Sequence, residues 1–135
     1  PGEAESLSFK SQVEAAVDRL APRLSHRGVV LDITCGDGEL VAAPRRWLET
    51  MLLNLLRAVV DQRPPGPLPL HCSEGSLRLG DEVQHWMPSR SDQGIGITMV
   101  ERMAAVLGWR VRCGLDVRQL FSVELDTRSK PAEWS

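Results

Sequence analysis

Apolar residues recur along this chain with two periods, and the period changes where glycine or proline interrupts it. Val13, Val17, Leu20 and Leu24 repeat at helical spacing, which predicts an amphipathic helix over residues 9–26. Pro22 falls inside that stretch and should kink or end the regular turn early. After Gly28, residues 29–35 alternate and are rich in β-branched side chains, the pattern of a strand. Gly36, Asp37 and Gly38 have hairpin-turn chemistry, so residues 39–42 are expected to form a short return strand. Pro44 suits the first turn of the next helix. Leu48, Met51, Leu52, Leu55, Leu56 and Val59 then fall on one face, the strongest helical signal in the chain.

The proline-rich residues 63–69 cannot continue that helix and read as a loop. Residues 68–72 and 76–79 read as two short strands around Ser73-Glu74-Gly75. Residues 80–93 have no clear period and are expected to be a loop anchored by Trp86 and Met87. Gly94-Ile95-Gly96 opens a third helix with Val100, Met103, Ala104 and Leu107 on its apolar face. Alternation over residues 109–113 and 120–125 gives two more strands, joined by a turn near residues 114–118. Segregated helices and hairpins of this order predict an α+β fold, a two-layer sandwich with about three helices on one face of a mixed five-stranded sheet. Residues 1–126 form one domain on this reading, and residues 127–135 a loose polar tail.

Composition narrows the picture without changing it. A length of 135 residues suits a single core, and 42% hydrophobic with 25% charged residues is the balance of an ordinary globular domain. The net charge of −2 gives no electrostatic reason for a nucleic-acid or anionic-membrane partner. No apolar run approaches the roughly 20 residues that span a bilayer. The chain opens on Pro1 and is read as a piece of a longer protein, with any sensor or membrane portion outside it. Cys35, Cys72 and Cys113 are widely spaced and odd in number, which argues against a disulfide framework or a zinc site and points to reduced thiols in the cytoplasm. His26, His71 and His85 occur singly and read as surface or strand histidines.

Two glycine-rich stretches compete as candidate chemistry. Val30-Leu-Asp-Ile-Thr-Cys-Gly-Asp-Gly-Glu-Leu40 resembles the first motif of S-adenosylmethionine-dependent methyltransferases. Its context does not fit, because a long helix follows and no second strand brings an acidic residue for the ribose. Asp92-Gln-Gly-Ile-Gly-Ile-Thr-Met-Val100 instead places Gly94 and Gly96 before a helix, where free N–H groups favour a phosphate.

Residues 94–111 as a whole resemble the last glycine box of bacterial sensor histidine kinases, with the helix and strand that follow it. Trp47-Leu-Glu-Thr-Met-Leu-Leu-Asn-Leu-Leu-Arg57 is similar to the asparagine-box helix of that family, and residues 27–42 to the strand pair before it. The resemblance covers nearly the whole chain in the right order. It implies the ATP-binding fold of the GHKL superfamily, a cofactor of ATP with Mg2+, and work beside a helical dimerisation or histidine-phosphotransfer domain and a response regulator. It carries over Asn54, Arg57, Gly75, Gly94, Ile95, Gly96 and Thr98 as nucleotide-binding positions, with no catalytic residue and no protein metal ligand.

The departures fall on the ligand contacts. The second asparagine of the box, which holds magnesium in the family, is Ala58, and a methyl group cannot ligate a hard cation. Asp61 stands where family members place a basic residue. The Asp-x-Gly-x-Gly box that recognises adenine has its nearest counterpart in residues 73–77, where Ser73 replaces the carboxylate, Leu77 replaces a glycine and Gly75 survives; in a shifted register Glu74 takes the adenine contact. Loss of such a charge-assisted bond costs on the order of 1.5–3 kcal/mol, about ten- to a hundredfold in affinity. Asp92 replaces the first glycine of the last box. The reading is therefore a histidine-kinase-type ATP-binding-fold domain with weak or no ATP binding, acting as a regulatory or docking module. The alternatives are an active kinase catalytic domain, a phosphotransfer protein with a vestigial ATPase half, an anti-sigma serine kinase of the same fold, and lastly the methyltransferase.

Overall fold

The computed structural model describes residues 2–88 and 95–128. Its elements run β1 (Glu5–Ser8), α1 (Phe9–Arg19), α2 (Ala21–Arg27), β2 (Val29–Cys35), β3 (Leu40–Ala43) and α3 (Arg45–Asp61). They continue with β4 (Gly66–Ser73), β5 (Ser76–Leu79), β6 (Val83–Met87), α4 (Ile95–Val106), β7 (Arg110–Asp116) and β8 (Phe121–Asp126). A six-stranded mixed sheet has the order β2-β4-β5-β8-β7-β6, and β1 pairs with β3 in a separate antiparallel ribbon. The α+β class stands, with four helices among the described residues and a six-stranded sheet where about three and five were expected.

The extra helix comes from the proline. Ser8 caps α1 through its hydroxyl, which accepts from the Ser11 N–H at 3.2 Å, and Phe9, Gln12, Val13 and Ala16 face inward. Leu20 leaves helical geometry, and α2 restarts with Pro22 in its first turn before Gly28 ends it at φ 68°. Pro44 precedes α3, whose buried Leu48, Met51, Leu52, Leu55, Leu56, Val59 and Val60 form the spine of the core. Each such side chain contributes roughly 1.5–3 kcal/mol of transfer free energy.

The expected hairpin of residues 29–42 does not form. β2 pairs in parallel with β4, Val29 opposite Gly66 through Cys35 opposite Cys72, and β3 pairs with β1. The intervening turn is instead held on α1, by Phe9 N–H to the Glu39 carbonyl at 2.9 Å and by Lys10 to Asp37 at 2.8 Å. β4 starts within the expected proline loop. The Gly66 N–H turns toward β2, bonding the Gly28 carbonyl at 2.9 Å, while the Pro69 carbonyl turns the other way to accept from Gly80 at 2.8 Å. Pro67 and Pro69 thus lack their N–H on the side away from β2, and β5 pairs with β4 only from Leu70 onward.

Residues 83–87, expected within a loop, form edge strand β6 on β7. The β7–β8 turn also falls later than expected, because β7 continues to Asp116. Core residues Leu68, Leu70, Leu77, Leu79, Val123 and Leu125 point to the helical layer, whereas Val30, Asp32, Thr34 and His71 of the opposite face are exposed. The chain remains tied down past residue 126. Thr127 donates to the Gly75 carbonyl from N–H at 2.9 Å and from Oγ1 at 2.6 Å, so the packed domain includes part of the expected tail.

Candidate functional site

The two ends of the sheet are chemically distinct, and α3 and α4 run between them. α3 finishes at Asp61, and a short link leads to Gly66, the start of β4. That end of the sheet also carries the exit of β5 at Leu79–Gly80 and the turn after Asp116. α4 runs the other way. It finishes beside Gly108–Trp109, which leads into Arg110, the register partner of Asp126 and so level with Ser76.

This layout brings the asparagine box and the last glycine box together. A Cβ on Gly96 would lie 3.2 Å from Asn54 Oδ1 and 3.6 Å from Asn54 Cβ, so glycine is what lets the start of α4 rest on α3. The Asn54 amide donates to the Thr50 carbonyl one turn back at 2.8 Å. Ile95 begins α4, and Thr98 is half-buried in its first turn. Gly94 and Asp92 lie outside the described residues. Arg57 is exposed on α3. Ala58 is one turn beyond Asn54 and partly packed against the core. Asp61 does not stand as a bare charge: its carboxylate accepts from Arg23 at 2.8 Å, and Arg27 binds its carbonyl at 2.8 Å.

Gly75 is not brought to Asn54 and Gly96. It sits with Glu74 in the two-residue turn between β4 and β5, both at positive φ (80° and 51°), as a type I′ hairpin requires. Its neighbours are Glu39, whose carboxylate accepts from the Gly75 N–H at 3.3 Å, and the side chains of Thr127 and Arg128. This is the sheet end where α4 finishes, opposite the end at which it begins. Gly75 is therefore the glycine of a hairpin turn.

Gly80 and Asp81 leave the sheet at its other end, after Leu79. Asp81-Glu-Val-Gln-His85 then follows the strand, with Val83 and His85 two and four residues after the aspartate. Asp81 is not free. It accepts from Arg118 at 3.3 Å and faces Arg63 Nη2 at 4.0 Å. Arg63 is 3% exposed and donates to the Phe121 carbonyl at 3.2 Å, with Nη1 3.9 Å from Asp116 Oδ2. Burial pulls the Arg63 guanidinium below its ordinary pKa, opposed by Asp116 and Asp81. Asp116 is fully buried, its Oδ1 accepting from Arg118 N–H at 2.8 Å and Leu120 N–H at 3.0 Å.

Asn54 and Gly96 thus meet where α4 packs on α3, Asp81 carries a carboxylate beyond β5, and residue 58 offers no oxygen. Among the described residues no group of three or more His, Cys, Asp or Glu side chains is arranged to hold a metal ion, and no helix is long and apolar enough to cross a membrane. The residues present do not fit magnesium in the way the asparagine box provides for it.

No protein-family model and no curated protein matches this chain. Solved structures do. The cytoplasmic segment of histidine kinase QseC superimposes with a TM-score of 0.73 at 14% identity, over 91% of this chain and 76% of that one. The catalytic domain of histidine kinase ThkA, in a nucleotide-free form, gives 0.70 at 11% identity over 93% and 98%. Full-length ShkA in complex with AMPPNP gives 0.67 at 17% identity, over 90% of this chain and 30% of that one. The fold is that of the catalytic domains of sensor histidine kinases.

Proposed function

We propose that this domain is the ATP-binding-fold module of a two-component sensor histidine kinase in which binding of ATP with Mg2+ is weak or lost. It then works as a regulatory or docking unit against a helical dimerisation or histidine-phosphotransfer domain, in a phosphorelay that includes a response regulator. On this reading it acts in the cytoplasm. The observation that carries the proposal is the seating of Gly96 on Asn54 with Ala58 one turn further along α3. On this reading Gly96 gives the phosphate turn its close approach to α3, while the side chain that would ligate the cation is a methyl group. Val83 and His85 add to this, because β-branched and bulky residues replace the glycines that let a backbone approach a base closely.

The test is a titration with a fluorescent ATP analogue, with and without magnesium. Millimolar or undetectable binding that magnesium does not improve is expected. Micromolar, magnesium-dependent binding overturns the proposal. A second reading, an active kinase catalytic domain with altered nucleotide contacts, is favoured by one observation: Asp81 supplies a carboxylate at the sheet end facing α4's start. The domain as a whole superimposes on ShkA, a structure solved in complex with AMPPNP. If it holds, Asp81→Asn abolishes binding of the analogue, whereas on the first reading it changes nothing measurable.

A further inference from the structure

The sheet holds a pair of thiols that the proposed nucleotide-binding role does not use. Cys35, the last residue of β2, is the direct register partner of Cys72 on β4. Neighbouring strands lie about 4.8 Å apart, within the roughly 4.4–6.8 Å Cα separation that a disulfide spans. The two side chains are on the same face of the sheet and within hydrogen-bonding reach of one another. Cys35 is partly exposed beside the Gly36–Glu39 turn, whereas Cys72 is only 4% exposed. An accessible thiol backed by a buried one in contact is the arrangement of an attacking and a resolving cysteine. Cys113 lies on β7, three strands from β4 and so about 14 Å away, too far to compete.

We propose that Cys35 and Cys72 form an oxidative modification site, closed to an intramolecular disulfide by hydrogen peroxide or a related two-electron oxidant. The Cys35 sulfur attacks one peroxide oxygen; the O–O bond breaks, Cys35 becomes a sulfenic acid, and one water leaves with the thiol proton. The Cys72 sulfur then attacks the Cys35 sulfur. The S–O bond breaks, the hydroxide leaves as a second water with the Cys72 proton, and the S–S bond forms. Two thiols are oxidised and one peroxide is reduced to two waters. Burial raises the pKa of both thiols, which keeps them protonated at neutral pH and makes closure slow compared with a dedicated peroxide sensor. The bond would fasten β2, an edge strand held in the sheet by β4 alone, together with the turn whose Asp37 and Glu39 contact Lys10 and Gly75.

The experiment treats the native domain with hydrogen peroxide, and in parallel with diamide, then alkylates it under denaturing conditions and digests it without reductant. The expected product is one cross-linked pair of peptides carrying Cys35 and Cys72, two hydrogens lighter than the reduced pair, with Cys113 fully alkylated. Dithiothreitol restores three alkylatable thiols. The oxidised domain melts at a higher temperature, and Cys35→Ser and Cys72→Ser each abolish both the link and the shift. Oxidation of Cys35 alone to sulfinic or sulfonic acid with Cys72 still alkylatable overturns the proposal. So does a link to Cys113, or resistance of the native domain to both oxidants.

Discussion

Replacing Arg63 with methionine removes the only buried guanidinium among the described residues and leaves a fully buried carboxylate facing a hydrocarbon. The Arg63 pKa is lowered chiefly by burial, so the cost of desolvating the cation exceeds what Asp116 and Asp81 return at 3.9 and 4.0 Å. Two unit charges at that distance attract by about 4 kcal/mol at an effective dielectric of about 20, which the desolvation more than offsets. The loss on substitution comes from what is left behind. The charge-assisted bond to the Phe121 carbonyl is worth on the order of 1.5–3 kcal/mol, and Asp116 keeps two backbone donors on Oδ1 while Oδ2 loses its cation. Arg63→Met should therefore destabilise the domain by about 3 kcal/mol, lowering a urea midpoint by roughly 1.5 M at an m-value near 2 kcal/mol/M. Asp116→Asn preserves the Oδ1 acceptor and removes the charge. The double variant should be at least about 1 kcal/mol more stable than the sum of the single losses implies. Additivity within about 0.5 kcal/mol, or an Arg63→Met loss below that value, would show that the pair is not coupled.

Other expected outcomes follow from single positions. Gly80 has φ 106°, and a Cβ there would strike the Ser122 side chain, so Gly80→Ala should cost on the order of 1–3 kcal/mol, read as a fall in thermal midpoint. Met51 is fully buried on α3, and Met51→Ala should cost about 2–5 kcal/mol in the same assay. The Cys113 thiol is pushed up to about 12 from 9.0 by burial and by Glu101, so the folded state holds its proton where the unfolded chain releases it. Its contribution to stability is complete below pH 9.0 and is lost as pH rises toward about 12; Cys113→Ala should flatten the fall in urea midpoint between pH 8 and about 10. If the missing metal ligand limits nucleotide binding, Ala58→Asn should raise magnesium-dependent affinity for an ATP analogue by about tenfold, the effect of roughly 1.4 kcal/mol. An unchanged titration would place the defect elsewhere in the cleft.

Local chemistry alone determined the elements whose signals are short in range. The one-sided apolar face of α3, the break at Pro22, the start after Pro44 and the alternation of β2, β5 and β8 are all written within a few residues of where they act. So were Asn54 and Gly96 as neighbours, because the order of the boxes along the chain matches a fold that sets them together. Only the tertiary structure decided which strand pairs with which. Gly36 to Gly38 have the composition of a hairpin turn, yet β2 gains more by lying parallel to β4 over seven paired positions than by folding back on the four-residue β3. β1 and β6 were illegible because short, half-exposed edge strands take their order from the neighbour they pair with, not from their own periodicity. A Glu-Gly pair and a Gly-Asp pair flank the same strand, and both satisfy a motif read in one dimension. The direction of β5 between α3 and α4 puts Gly75 at the far end and Asp81, held by Arg118, at the end where α4 begins.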